Sequence, residues 1–315
     1  MTSGAIGAGM GLLSLKKRPA ALDVLQATAA IGQVHLIRLY GEYFKRRGYL
    51  IGQILLTQDD FNDRKRFLNI KQTMRRLLEH NAIPVINEND TVATDEIRCG
   101  DNDRLSGLVA DACGAGLLIM LTDVDGLLDE KGHVISSVAQ VSPRIARLAG
   151  GSRCDLGTGG MATKIAAARY ATAAGIDCVI ANGKKKGVIA SIAAGESVGT
   201  RFGKRPGRLI AKKRWIAFSS RPKGELTVDA GARDALSKKD KSLLASGIVA
   251  VSGGFNAGDM ISVLDKDGAE FARGLVNYSS QEIAKIKGLK TDAFGAVLGY
   301  KGRDEIIHKD NLVIL

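Results

Sequence analysis

AIPVINENDTVATDEIRCGDNDRLSGLVADACGAGLLIMLTD, residues 82–123, decides the architecture of most of this chain. It opens on a short apolar run, Ala82 to Ile86, and passes through a dense polar stretch. Helix-like spacing follows from Asn102 to Cys113, and the segment closes on the aliphatic run Gly116 to Thr122. Short apolar runs separated by a helical segment read as buried strands joined by a crossover. Such strands lie parallel, in a sheet covered by helices on both faces. Ligands then bind beyond the carboxyl ends of the strands. Both polar elements fall there: Asn87 onward follows the first strand, and Thr122-Asp123 ends the second.

The alternation continues on either side. Leu22, Leu25, Ala29, Gly32, Leu36 and Tyr40 recur at three- and four-residue steps, one face of a helix that Arg46-Arg47-Gly48 closes. Tyr49 to Thr57 reads as a buried strand, and Phe67, Ile70, Met74 and Leu77 give a second helical stripe capped by Asp59-Asp60. Met161 to Ala174 reads as an alanine-rich helix stopped by Gly175, and Ile176 to Ala181 as a further strand. After about Thr200 the texture changes to a basic, proline-containing run and then to short strand-like pieces punctuated by glycine. The expected organisation is an α/β domain with a mainly parallel, helix-sandwiched sheet over 1–203, a basic linker over 204–223, and a small mixed-β domain over 224–315.

Composition narrows the class. Apolar residues make up 45% of the 315 and charged residues 25%, which is ordinary for a globular protein. The longest aliphatic run, Leu117 to Leu121, is far too short to cross a bilayer, and no charged-then-apolar leader opens the sequence, so the expected location is the cytoplasm. The four cysteines form no CxxC pair and cluster with no histidine, which argues against a zinc site and a disulfide framework, and no residue is assigned as a direct metal ligand. The net charge of +12 is concentrated between Lys184 and Lys223, where twelve Lys or Arg face one acid, Glu196. The excess belongs to one stretch, which weakens a general case for nucleic-acid binding.

Two segments carry chemistry. In LGTGGMATK, Leu156 to Lys164, three glycines let the backbone approach phosphate oxygens, and the loop runs into a helix N-terminus whose free amides favour anions. Lys164 falls in the first helical turn, within reach of a phosphoryl group; the spacing is not that of a Walker A loop. In NENDTVATDEIRCGDND, residues 87–103, acids and amides outnumber the single Arg98. That density after a strand suits an amine, a metal–nucleotide complex, or both. A third small-residue loop, Ser3 to Gly9, leads into a helix at the start.

TSGAIGAG, GQILLTQDDFNDRKRFLN, PVINENDTVATDEIRCGDNDRLSGLVA, MLTDVDGLLD, LGTGGMATK and KRWIAF occur in that order along essentially the whole chain. Together they resemble the amino acid kinase family, and within it the glutamate 5-kinases that carry a C-terminal PUA domain. The resemblance implies ATP-dependent phosphorylation of the γ-carboxylate of L-glutamate, the first step of proline synthesis. By that likeness Ser3, Asn87, Asp90 and Asn102 bind glutamate. Thr122 and Asp123 contact the nucleotide, and Thr158, Gly159, Gly160, Met161, Ala162, Thr163 and Lys164 hold its phosphates. Lys164 stabilises the phosphoryl in flight, with Asp101 and Asp103 ordering substrate, lysine and Mg²⁺. The resemblance also implies feedback inhibition by proline and a homo-oligomer.

Members of that family open with a strand bearing a K-x-G-[ST] loop, followed by a helix and the strand that runs into TSGAI. This sequence starts at that last turn, which implies a start placed inside a longer gene product and little kinase activity for the chain as written. A different class of function, RNA binding or RNA modification, is suggested by the PUA likeness and the basic run. That run carries few aromatics (Phe202, Trp215 and Phe218) and shows no stacking platform.

Overall fold

The computed structural model describes residues 1–92, 101–149, 160–204, 211–218, 222–300 and 302–315. The chain divides into two compact units, Met1–Arg208 and Leu209–Leu315.

The first unit opens with two helices, α1 (Ala5–Leu12) and α2 (Leu22–Lys45). Next come β1 (Leu50–Leu56), the short α3 (Asp59–Asn62), α4 (Arg64–Glu79) and β2 (Ala82–Glu88). The alternation of strand and helix continues with α5 (Asp101–Cys113), β3 (Leu117–Thr122), β4 (Ser137–Val138), α6 (Pro143–Leu148) and α7 (Met161–Ala173). The unit ends with β5 (Asp177–Asn182), α8 (Val188–Ala193) and β6 (Thr200–Phe202).

Pairing is mainly parallel. Strands β1 and β2 run in register from Leu50↔Ala82 to Leu56↔Glu88, and β3 and β5 from Leu117↔Asp177 to Thr122↔Asn182. Strand β6 lies antiparallel to β5 and parallel to β4, giving the order β3-β5-β6-β4. The parallel pairs follow from helical crossovers, since only a long connection returns a chain to run the same way. Both pairs therefore end together, at Leu56 and Glu88 and at Thr122 and Asn182. Helix α5 packs on β2, β3 and α7.

Two local expectations change. The small-residue segment at the start is mostly helix, not loop, because α1 packs directly on α2. A Cβ on Gly9 would lie 1.9 Å from the Thr28 carbonyl oxygen, and one on Gly32 would lie 1.8 Å from that of Ala5. Absent side chains let the two backbones touch, and tertiary packing outweighs the low helix propensity of glycine. The cap of α4 is Asp63, whose side chain accepts from Arg66 N–H at 2.8 Å. Asp59 and Asp60 belong to α3, and Asp60 Oδ2 ties down Thr57 at the exit of β1 through its N–H at 2.7 Å and its hydroxyl at 3.0 Å.

The second unit contains α9 (Ala211–Phe218), β7 (Gly224–Val228), α10 (Ala230–Lys239), β8 (Ile248–Gly253), β9 (Met260–Leu264) and β10 (Glu270–Leu275). It closes with α11 (Ser280–Ile286), α12 (Phe294–Leu298) and β11 (Leu312–Ile314). Its sheet is mixed, in the order β11-β10-β9-β7-β8, with β7 and β9 parallel and the other pairs antiparallel. Leu226, Val228, Ile261, Ile283 and Ile307 fill its core. A stretch within the expected basic linker, Ala211–Phe218, is a helix. Ile216 and Ala217 bury themselves with Met260 and Val313, so their apolar burial makes α9 part of this unit. Arg214 on the same helix is buried, so the basic run is not a wholly solvated face.

Candidate functional site

Lys164 sits in the first turn of α7, whose N-cap is Gly160, and only 6% of it is exposed. Its Nζ lies 3.0 and 3.2 Å from the two carboxylate oxygens of Asp103 on α5. Thr163 donates its hydroxyl to Asp103 Oδ2 at 2.6 Å, with Gly160 O at 2.7 Å. One carboxylate thus gathers the ammonium and the hydroxyl that open α7. Helices α5 and α7 can come this close because Gly107 faces Tyr170, where a Cβ would stand 3.2 Å from the ring.

The placement of Lys164 is electrostatically informative. A helix N-terminus carries partial positive charge, so an ammonium there gains nothing from the helix dipole. Burying it also costs desolvation that a carboxylate only partly offsets. A cation held at that end is suited to an incoming anion, which the free N–H groups of the same turn would also bind.

A second cluster stands one residue away on α5. Asn102 Nδ2 donates to Asn87 Oδ1 at 2.9 Å, and the Glu88 N–H donates to Asn102 Oδ1 at 3.1 Å. Asn87, 2% exposed near the carboxyl end of β2, donates in turn to Gln33 Oε1 of α2 at 2.8 Å. The Thr2 N–H donates to Ile86 O at 2.7 Å, which brings Ser3 beside the same strand end. Asp90 follows two residues after β2. Burial pushes its carboxyl above the ordinary range, and the charge of Arg18 offsets this in part.

A third group occupies the ends of β3 and β5. Thr122 donates its hydroxyl to Asp123 Oδ1 at 3.2 Å. Asn182 Nδ2 donates to Asp125 Oδ1 at 2.9 Å, and Lys185 Nζ lies 2.9 Å from Asp125 Oδ2. Hydrogen bonds from Lys185 and then Asn182 hold the Asp125 carboxyl below its ordinary range.

The structure thus joins Asn87 to Asn102 and Lys164 to Asp103, and it places these pairs on adjacent residues of α5. Thr122 and Asp123 pair with each other at the end of β3. Met161, Ala162 and Thr163 form the first turn of α7 with Lys164. Thr158, Gly159 and the Asp101 side chain lie outside the described residues. Sequence reasoning missed Gln33, Asp125, Asn182 and Lys185. Asn182 had a usable signal, because it ends a strand as Thr122 does; Gln33 had none, being one polar residue on a long helix. Among the described residues no three His, Cys, Asp or Glu form a group that could hold a metal ion alone, and no helix is long and apolar enough to cross a membrane.

Residues 2–182 match the amino acid kinase family and residues 224–298 match the PUA domain. The chain is 51% identical to a protein named glutamate 5-kinase from Caldanaerobacter subterraneus subsp. tengcongensis, across 100% of this chain and 86% of that protein. It is 47% identical to one from Moorella thermoacetica, across 100% of this chain and 85% of the relative. It is 45% identical to one from Syntrophotalea carbinolica, across 100% and 86%.

Proposed function

Because the chain belongs to the amino acid kinase family, and within it to the glutamate 5-kinases, we propose that Lys164 and its carboxylate partner Asp103 serve the transfer of the ATP γ-phosphoryl group to the side chain of L-glutamate. The protein is an ATP-dependent glutamate 5-kinase in its reaction, forming L-glutamyl 5-phosphate at the entry to proline biosynthesis. The glutamate carboxylate is ionised at neutral pH and needs no base. One of its oxygens forms a bond to the γ-phosphorus as the bond to the bridging oxygen breaks, and ADP leaves. Little covalent work is left to the protein, so catalysis is alignment plus neutralisation of charge.

The observation that carries the residue assignment is the buried Lys164 ammonium, held 3.0 Å from Asp103 at the start of α7. In this reading Lys164 meets the equatorial oxygens of the moving phosphoryl group, Thr163 and the first-turn amides hold the nucleotide phosphates, and Asp103 aims the ammonium. Asn87, Asp90, Asn102 and Ser3 receive glutamate, with Asp90 facing its ammonium. Thr122 and Asp123 belong to the nucleotide side. Mg²⁺, carried in with the nucleotide, would supply neutralisation of phosphate charge, with Asp103 and Asp101 ordering the site around it. Kinship with the glutamate 5-kinases likewise supports proline as end-product inhibitor, a homo-oligomer and a cytoplasmic location.

A coupled ADP-release assay across glutamate, aspartate, N-acetylglutamate and UMP tests the reading. Whatever turnover the chain supports is expected with glutamate. Turnover confined to another acceptor would overturn it.

A further inference from the structure

The amides around Asn87 form a chain whose polarity is set from one end. A backbone N–H can only donate, so the Glu88 N–H, 3.1 Å from the Asn102 side chain, fixes that group as Oδ1. Asn102 must then present Nδ2 to Asn87, at 2.9 Å, so the atom of Asn87 that faces it is Oδ1. Asn87 therefore presents Nδ2 to Gln33, at 2.8 Å, and the atom of Gln33 that receives it is Oε1. Three side-chain amides are oriented by one backbone group, with no freedom to flip. At the far end Gln33 Nε2 is left as an N–H₂ donor, and it donates to no other residue in the described chain.

The location of that donor is also constrained. Gln33 follows Gly32, the residue at which α2 touches the first turn of α1, where an added Cβ would stand 1.8 Å from Ala5 O and 2.4 Å from Gly9 N. Gln33 is partly exposed, while Asn87, its partner, is buried. The amide chain thus starts on α5 next to Asp103, the partner of Lys164, and ends at Gln33 on α2.

We propose that Gln33 is a substrate-binding residue whose Nε2 donates a hydrogen bond to the α-carboxylate of L-glutamate while its Oε1 positions Asn87. The inference rests on glutamate being the substrate. The choice of carboxylate follows from direction: the γ-carboxylate must reach the phosphoryl group at the Lys164 end, which leaves the α-carboxylate for the opposite end of the chain.

Gln33→Glu separates the two roles. A glutamate at 33 still accepts from Asn87 Nδ2, so the network keeps its orientation, but the donor is replaced by a charge that repels a carboxylate. Calorimetric titration of the full chain with L-glutamate and with L-glutamic acid α-amide measures the preference for the free α-carboxylate. The preference is expected to fall at least tenfold in Gln33→Glu, with ATP binding within twofold of wild type. An unchanged ratio would overturn the proposal and leave Gln33 as a prop for Asn87. Gln33→Leu, which lacks both amide atoms and adds no charge, gives a second reading should the first variant fold poorly, and it too must lose the preference. A wild-type chain that binds no glutamate would strike the functional reading itself, an outcome distinct from an unchanged ratio.

Discussion

Asp103 Oδ2 accepts from both Lys164 Nζ at 3.0 Å and the Thr163 hydroxyl at 2.6 Å, so one carboxylate on α5 fixes two successive residues at the start of α7. The arrangement couples packing to chemistry. Helix α5 is held by β2 and β3, whose carboxyl ends carry the amide cluster and the Thr122 group, and α7 is held by α5. A shift of α5 would move Asn102 and Asp103 together, and with them the acceptor pocket and the lysine. On the proposed assignment, the geometry for phosphoryl transfer is inherited from helix packing.

Replacing Lys164 with Met keeps most of the side-chain volume and removes the charge. Loss of one preorganised cationic contact costs about 2.7–4 kcal/mol of barrier, a rate loss of roughly a hundred- to a thousandfold. The half-buried Asp103 carboxylate would be left without its ammonium, so stability falls as well. The double variant Lys164→Met with Asp103→Leu is expected to regain stability and stay inactive. Thermal melts beside kcat measurements check this; a double variant with near-native turnover would sink the catalytic assignment.

Asp90 gives a pH test. Burial raises its carboxyl above the ordinary value of 3.8, so the folded chain holds that proton more tightly than the unfolded chain does. Stability from this group is complete below the ordinary value and is lost as pH rises through the raised value. Asp90→Asn should therefore raise Tm relative to wild type at neutral pH, and the gain should vanish as pH falls below about 4. Glutamate binding should weaken in the same variant, because its ammonium loses an anionic partner. Melts across this pH range with and without glutamate decide the matter; a Tm gain that persists at low pH contradicts the linkage.

Gly32→Ala is expected to be among the most damaging single-methyl changes in the first unit. The new Cβ would stand 1.8 Å from the Ala5 carbonyl oxygen, a backbone atom that cannot rotate away. Overpacking of this kind typically costs about 1–3 kcal/mol, and here α1 must shift to relieve it. The Gln33 carboxamide would be displaced with the helix, so glutamate affinity should drop too. Urea unfolding and glutamate titration of this variant, beside Gly41→Ala on the same helix as a control, test the claim: the Cβ at 41 meets only the Ile51 side-chain terminus, at 3.6 Å.

How much was legible in the sequence varied with the kind of signal. Apolar runs and three-four spacing located β1, β2, β3, β5, α2, α4, α5 and α7, because burial of one face leaves a period in the residues themselves. Helix α10 was not anticipated although Asp229 caps it, with its side chain accepting from Ala232 N–H at 2.7 Å; it is short and carries a glycine at its second position. Helix α9 was hidden by its lysines and arginine, whose charge reads as linker while Ile216 and Ala217 do the packing. In the site, Lys164, Asn87 and Asn102 stood in segments of unusual composition. Gln33 and Lys185 did not, since their roles depend on which strand end each neighbouring element passes, and pairing across distant parts of the chain leaves no mark in local composition.

Cysteine reactivity checks the sheet itself. Cys178 lies in β5 between β3 and β6 and is fully buried. Burial, and secondarily the charge of Asp177, pushes its thiol up to about 12, so almost no thiolate exists near neutral pH. Cys113, at the end of α5, is exposed. In native buffer at pH 8, iodoacetamide should modify Cys113 and leave Cys178 untouched, as read by peptide mass mapping. Labelling of Cys178 then requires opening of the sheet, and its rate should rise with denaturant in step with global unfolding, since the centre of a sheet opens last. If Cys178 reacts as fast as Cys113 without denaturant, β5 is not the central strand its pairing makes it.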